Sequence, residues 1–228
     1  VIFHLAALLH INNPSPNLQA EYHRVNVEGT RHLIKAARLQ SVQRVIFFST
    51  ISVYGPSQPG EVMDENSPLI PPTFYAHSKS TAENIVLEAM QADIDRPLGV
   101  VLRMASVYGS RVKGNYARLI QAVQQGWFVP IGSGENRRTL IHEQDAVSAA
   151  LLAAGHPSAA GKVYNVTDGE IHSFREILES IYRACGRTRP GYTIPVTPLR
   201  LAAGMLDSLF HLAGHRTSPS QSMLEKLL

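Results

Sequence analysis

The chain has 228 residues, 44% apolar and 17% charged, enough for one large domain or one domain with a smaller appendage; this excludes a disordered, coiled-coil or collagen-like chain. Its 21 basic and 18 acidic residues leave a formal charge of +3, with arginines spread along the chain rather than gathered in a stripe, which argues for a solvated basic surface and against nucleic acid as a partner. No apolar run approaches the roughly 20 residues that span a bilayer, so no membrane is expected, and the lone Cys185 suits a reducing, cytoplasmic compartment.

Taken in order, residues 1–7 form an apolar run of strand length, and a Pro/Asn-rich turn follows over 12–17. Leu18, Tyr22, Val25, Gly29, Leu33 and Ala36 then recur at helical spacing up to Leu39. Residues 44–48 and 98–102 are continuous apolar strands, the pattern of a parallel sheet buried on both faces. Helices are predicted over 75–90, 115–125, 143–154, 173–185 and 197–212, and further strands over 128–131 and 163–166. Alternation at this spacing predicts an α/β fold, a doubly wound parallel sheet of the Rossmann kind, with a mostly helical part beyond residue 167. Such a sheet normally opens on a glycine-rich βα turn, and no such turn occurs here.

Tyr75-Ala76-His77-Ser78-Lys79 sets a phenol and an amine at i, i+4, on one helix face. A lysine cation beside a phenol favours the phenolate, so Tyr75 is expected to have a lowered pKa and to exchange a proton with an alcohol or ketone. Upstream, a buried strand ends in Ser49-Thr50-Ile51-Ser52-Val53-Tyr54-Gly55, where hydroxyls face the crevice in which α/β sheets bind ligands. Thr50 is therefore a candidate partner of Tyr75; the competing reading makes Ser49 and Thr50 turn or cap residues.

These segments, with His4-Leu5-Ala6-Ala7, Asn26-Val27-Glu28-Gly29-Thr30, Leu102-Arg103 and Val107-Tyr108-Gly109, resemble the extended short-chain dehydrogenase/reductase family, and within it the NAD-dependent epimerase/dehydratase members. The resemblance runs from residue 1 to about 185. It implies an enzyme with a Rossmann sheet, NAD or NADP as cofactor and a nucleotide-diphosphate sugar as substrate. Under it Tyr75 is the acid/base, Thr50 its partner, and Lys79 the residue that holds the nicotinamide ribose and tunes the tyrosine. Leu5, Ala6 and Ala7 would line the cofactor, with Asn26 and Ser49 nearby. Residues 1–110 and 139–167 would form the dinucleotide-binding part, and 111–138 and 168–228 the substrate-binding part. A homodimer through helices 21–38 and 73–90 is also implied.

Residues 112–120 resemble the segment of nucleotide-sugar epimerases in which an asparagine, here Asn115, meets the diphosphate; the competing reading is an N-cap. Phe128 to Gly132, with Val129, is similar to the family's uracil-side strand. Gly132 to His142, with Asp145, resembles a block whose arginine, here Arg138, clamps phosphate, unless Arg137 and Arg138 are a solvated pair. His142 is expected to be structural, Trp127 to sit in core or wall, and no histidine spacing suggests a metal. Ile51-Ser52 stands where dehydratases carry an Asp-Glu pair, which argues against elimination of water. Arg103-Met104 replaces the usual Arg-Pro, and Ser106 stands at the asparagine that contacts the sugar. Two further βα units are expected before Val1, and relatives usually continue beyond Leu228. The leading expectation is a sugar-nucleotide 4-epimerase working through a 4-keto intermediate. The alternatives are a 4-keto reductase or other reductase of the extended family, and a non-catalytic cofactor-binding relative.

Overall fold

A computed structural model describes residues 1–9, 18–58, 60–91, 96–110 and 115–198. In chain order the elements are β1 (Ile2–His4), α1 (Leu18–Tyr22), a π-helical turn (His23–Glu28), α2 (Gly29–Leu39), β2 (Val45–Thr50), a 3-10 turn (Ile51–Tyr54) and α3 (Phe74–Leu87). Then follow β3 (Gly99–Met104), β4 (Ser106–Tyr108), α4 (Asn115–Gln125), β5 (Arg137–Arg138), β6 (Leu140–His142) and α5 (Glu143–Gly155). A second 3-10 turn (Pro157–Ala159), β7 (Val163–Val166), β8 (His172–Ser173) and α6 (Phe174–Ala184) complete the set.

Two compact units divide the chain. The first, Val1–Gly109 with Leu140–Gly169, is built on a four-stranded parallel sheet of order β1-β2-β3-β7, with a small parallel pair β4-β6. Central strands need apolar residues on both faces, and β2 supplies them alternately. Val45 and Phe47 pack with Ile34, Ala37, Ala82 and Val86 of α2 and α3, whereas Ile46 packs with Val100, Leu102 and the alanines Ala146, Ala150 and Ala153 of α5. Gly99 is demanded by close approach: a Cβ there would collide with the carbonyl oxygen and side chain of Val86. Gly55, which closes the first 3-10 turn at φ 82°, is demanded by conformation.

The other unit, Ser110–Thr139 with Glu170–Leu228, contains α4 packed on α6 and the antiparallel pair β5-β8. α6 opens with a full capping box between Ser173 and Glu176.

Several expectations are revised. The first strand is Ile2–His4, not 1–7. The helix over 18–39 forms, but its buried residues are Tyr22, Asn26, Val27, Thr30, Ile34 and Ala37, one position later than the predicted stripe from Val25 onward. The cause is the π-helical turn, whose wider ring takes in one extra residue and rephases all that follows. The strand predicted over 128–131 is reduced to a single bridge, Ile131 to Ile194. The helix predicted over 197–212 lies outside the described residues beyond Pro198. Trp127 is 68% exposed, its indole N–H donating to Gln125 Oε1 at 2.6 Å, so it is neither core nor wall within its unit.

Candidate active site

Parallel strands bring their carboxyl ends to one edge of the first unit, and that edge collects most of the residues singled out above. β1 runs out into residues 5–9, where Leu5 is 59% exposed. Asn26, buried in the π-helical turn, grips this segment: its Oδ1 accepts from the Leu8 N–H at 2.7 Å and its Nδ2 donates to the Leu8 carbonyl at 3.1 Å. The same Nδ2 donates to Ser78 Oγ at 2.9 Å, and Ser78 Oγ donates to the Tyr75 carbonyl at 2.8 Å. One amide thus ties Leu8, just beyond Leu5, Ala6 and Ala7, to Ser78 of α3.

That turn begins where Thr73 caps α3, its hydroxyl accepting from the Ala76 N–H at 3.1 Å. Tyr75 is half-buried, edge-on to Tyr22 with ring centroids 6.3 Å apart. Burial raises its phenol above the ordinary value, and Tyr22 adds to the rise. This reverses the expected direction, because desolvation of a phenolate outweighs any help from a cation one turn away. Lys79 is buried, its Nζ 4.0 Å from the centre of the Phe47 ring. Burial lowers the Lys79 amine to about 8, while the Glu83 charge acts in the opposite sense. His4, also buried, shares a hydrogen bond of 2.9 Å with Thr30 Oγ1 and is lowered to about 4, by burial first and by Lys79 second.

Thr50 ends β2, on which α3 packs. Its Oγ1 caps the 3-10 turn, accepting from the Ser52 N–H at 3.2 Å and donating to Ser52 Oγ at 3.1 Å, so the capping reading of Thr50 holds whatever else it does. Ser49 turns its hydroxyl inward and donates it to Glu83. Ser106 is exposed on β4, beside β6. His142 caps α5, with Nδ1 accepting from the Gln144 N–H at 3.3 Å, and its ring meets Tyr108 edge-on, as a structural histidine does.

One group of residues was not found from the sequence. Glu83, a further turn along from Lys79, forms a buried ion pair with Arg103 of β3, Nη2 to Oε2 at 2.8 Å. Arg103 Nη1 donates to Tyr54 Oη at 2.7 Å, and Tyr54 Oη donates to Asn165 Oδ1 at 2.7 Å. The available signal was an arginine inside the apolar run Val100-Val101-Leu102-Arg103-Met104.

In the second unit, Asn115 is the first residue of α4 and its side chain, like residues 111–114, lies outside the described residues. The neighbouring Tyr116 phenol is raised by burial and eased downward by Arg138, which places that guanidinium within electrostatic reach of the start of α4. Arg138 Nη1 donates to the Arg137 carbonyl at 3.1 Å. Val129 is half-buried between Phe128, whose carbonyl accepts from Tyr182 Oη at 3.0 Å, and Pro130, whose carbonyl accepts from the Ile194 N–H at 2.9 Å. Beside it a cavity of about 250 Å³ is lined by the run from Ile131 to Asn136, Glu135 included, and by Val196. Among the described residues no group of three or more His, Cys, Asp and Glu could hold a metal ion, and no helix is long and apolar enough to cross a membrane.

The profile of the NAD dependent epimerase/dehydratase family matches residues 1–167. A UDP-glucose 4-epimerase of Vibrio cholerae is 33% identical over 205 residues, 86% of this chain and 60% of that protein. N-acetyl-alpha-D-glucosaminyl-diphospho-ditrans,octacis-undecaprenol 4-epimerase of Escherichia coli O157:H7 is 27% identical over 224 residues, 97% of this chain and 66% of that protein. Among solved structures, MoeE5 in complex with UDP-glucose and NAD superposes with a TM-score of 0.71 at 32% identity, over 85% of this chain and 64% of that one. The chain thus spans 60% to 66% of the length of these two curated relatives.

Proposed function

The chain belongs to the NAD dependent epimerase/dehydratase family, and on that footing we propose that the full-length protein inverts C4 of a nucleotide-diphosphate sugar through a transient 4-keto intermediate. The observation that carries this reading is the placement of Tyr75 and Lys79 one turn apart at the start of α3, packed on the strand that ends in Thr50.

The residues fit a nicotinamide nucleotide. Leu5 to Ala7 offer an apolar shelf at the end of β1, next to the Leu8 that Asn26 holds, and Lys79 and Tyr75 on α3 supply an amine and a phenol. NAD, when bound, supplies the reversible hydride acceptor that lets C4 become a ketone and return to an alcohol. The remaining work belongs to the protein. Tyr75 Oη takes the proton from the 4-hydroxyl and gives it back after the sugar has turned its other face, and Thr50 Oγ1 holds the same sugar oxygen by a hydrogen bond. Lys79 steadies the ribose and offsets the charge on the phenolate. In the second unit, Arg138 and Asn115 bind the diphosphate, and Val129 borders the base. Ser106 contacts the sugar. The first unit is accordingly the cofactor side and the second the substrate side. A cytoplasmic homodimer completes the reading, with the apolar and basic groove between α2 and α3 (about 550 Å³, lined by Ile34, Lys35, Arg38, Leu39 and Ile85 among others) at its interface.

The raised phenol of Tyr75 favours a second reading. A phenol that keeps its proton is suited to giving it to a ketone oxygen, as a 4-keto sugar-nucleotide reductase requires. Incubating the full-length protein with UDP-sugars, in the 4-hydroxy and 4-keto forms, decides between them. An epimerase yields the C4-inverted sugar with no net use of added cofactor, whereas a reductase acting on a 4-keto sugar consumes reduced cofactor mole for mole. Tyr75→Phe is expected to lower kcat by about 10²–10⁴-fold. A wild type that retains no nicotinamide and shows no reaction that Tyr75→Phe changes would overturn both readings in favour of a non-catalytic relative.

A further inference from the structure

We propose that Glu83 is a positioning residue of this site, the internal counter-ion of the Lys79 ammonium, itself locked in place by Arg103 and Ser49. The proposal deepens the C4 reading and rests on it for its catalytic consequence.

Lys79 and Glu83 stand at i, i+4 on the buried face of α3, 2% and 1% exposed. The carboxylate cannot swing away from the amine, because both of its oxygens are taken. Oε1 accepts from Ser49 Oγ and from Arg103 Nε at 3.3 Å, and Oε2 accepts from Arg103 Nη2 at 2.8 Å and Nε at 3.1 Å. Arg103 is held in turn from its far side by Tyr54 Oη. A buried ion pair seldom contributes more stability than well-packed apolar residues in its place, so its position between the end of β2 and α3 calls for another reason.

Charge counting supplies one. The titratable groups that act on Lys79 or feel its charge are Glu83 from α3 and His4 from β1; Tyr75 lies one turn back on the same helix, and Arg103 of β3 pairs with Glu83 itself. The buried residues of α2 are Thr30, Ile34 and Ala37, and those of the π-helical turn are Asn26 and Val27, none of them titratable. His4 is held neutral at pH 7. With Glu83 in place, an anion lies within electrostatic reach of the buried Lys79 ammonium. Without it nothing opposes the desolvation that already lowers the amine, and the lysine gives up its proton more readily. An uncharged Lys79 can no longer offset a phenolate at Tyr75.

The test uses full-length protein labelled with ¹³C-lysine. Lys79, one of five lysines in this chain, is assigned by the signal lost in Lys79→Met. In wild type this signal is expected to titrate near pH 8. In Glu83→Gln, which keeps the shape and one acceptor oxygen but not the charge, it is expected to titrate at least about one pH unit lower. The alkaline limb of the kcat profile should move with it, whereas a purely structural residue would lower kcat equally at all pH. Should Glu83→Gln not fold, Glu83→Asp makes the same test, since the shorter arm withdraws the charge and the titration again moves down. A Lys79 signal at the wild-type pH in whichever variant folds overturns the proposal. The titration needs no turnover, so failure of the C4 reading, shown by an active Tyr75→Phe, is a separate result.

Discussion

The two faces of the parallel sheet differ in kind. The face under α5 has an apolar core, Ile46, Val100, Leu102 and Met104 against three alanines of the helix. The face under α2 and α3 also has an apolar centre, in Val45, Phe47 and Val101, but along its carboxyl edge it buries His4, Asn26, Thr30, Ser49, Lys79, Glu83 and Arg103. Buried polar groups are costly unless every partner is present, so one face is built for stability and the other accepts cost where chemistry is expected.

That contrast can be broken most forcefully at the ion pair. Arg103→Met strands the Glu83 carboxylate and is expected to destabilise the protein by about 3–5 kcal/mol in urea unfolding, whereas Glu83→Met with Arg103→Met together should restore most of that loss while activity stays low. A double variant as unstable as the single one would mean that the polar face is needed for the fold itself. The next effect is smaller and depends on pH. His4 falls from an ordinary 6.5 to about 4 in the folded protein, so the unfolded chain takes up its proton first as pH drops. Stability is then complete above about pH 6.5 and is lost progressively toward pH 4, by about 2–4 kcal/mol for this group. His4→Gln should flatten this acid limb in a series of unfolding curves. On the apolar face, Ile46→Val should cost about 0.5–1.5 kcal/mol at every pH and leave turnover unchanged. A pH-dependent loss there would blur the distinction between the faces.

What the sequence disclosed follows the same division. Continuous apolar strands and a helix with Tyr75 and Lys79 on one side are local patterns, and α3, α4, α5, α6, β2, β3 and β7 appear within a few residues of where periodicity puts them. The π-helical turn escaped because an inserted residue leaves no mark on composition and shifts the stripe only after Tyr22. The 128–131 strand failed because its neighbour, Ile194, offers one bridge rather than a ladder. The acidity of Tyr75 was misjudged because spacing reports a nearby lysine and is silent on desolvation and on Tyr22, which come from other segments. Glu83 and Arg103 lie 20 positions apart, and only the fold reveals that each charge has a partner.

Gly99 bears on all of this. Because its bare α-carbon lets α3 rest against β3 at the Val86 carbonyl, the separation of helix and strand is fixed there by a missing methyl group. Adding that methyl would lever the helix outward, lifting the amine off the Phe47 ring and the carboxylate off its guanidinium, although no charged group had been altered. The tolerance of the candidate site's edge is thus set from the opposite end of the strand, by the smallest residue in the sheet.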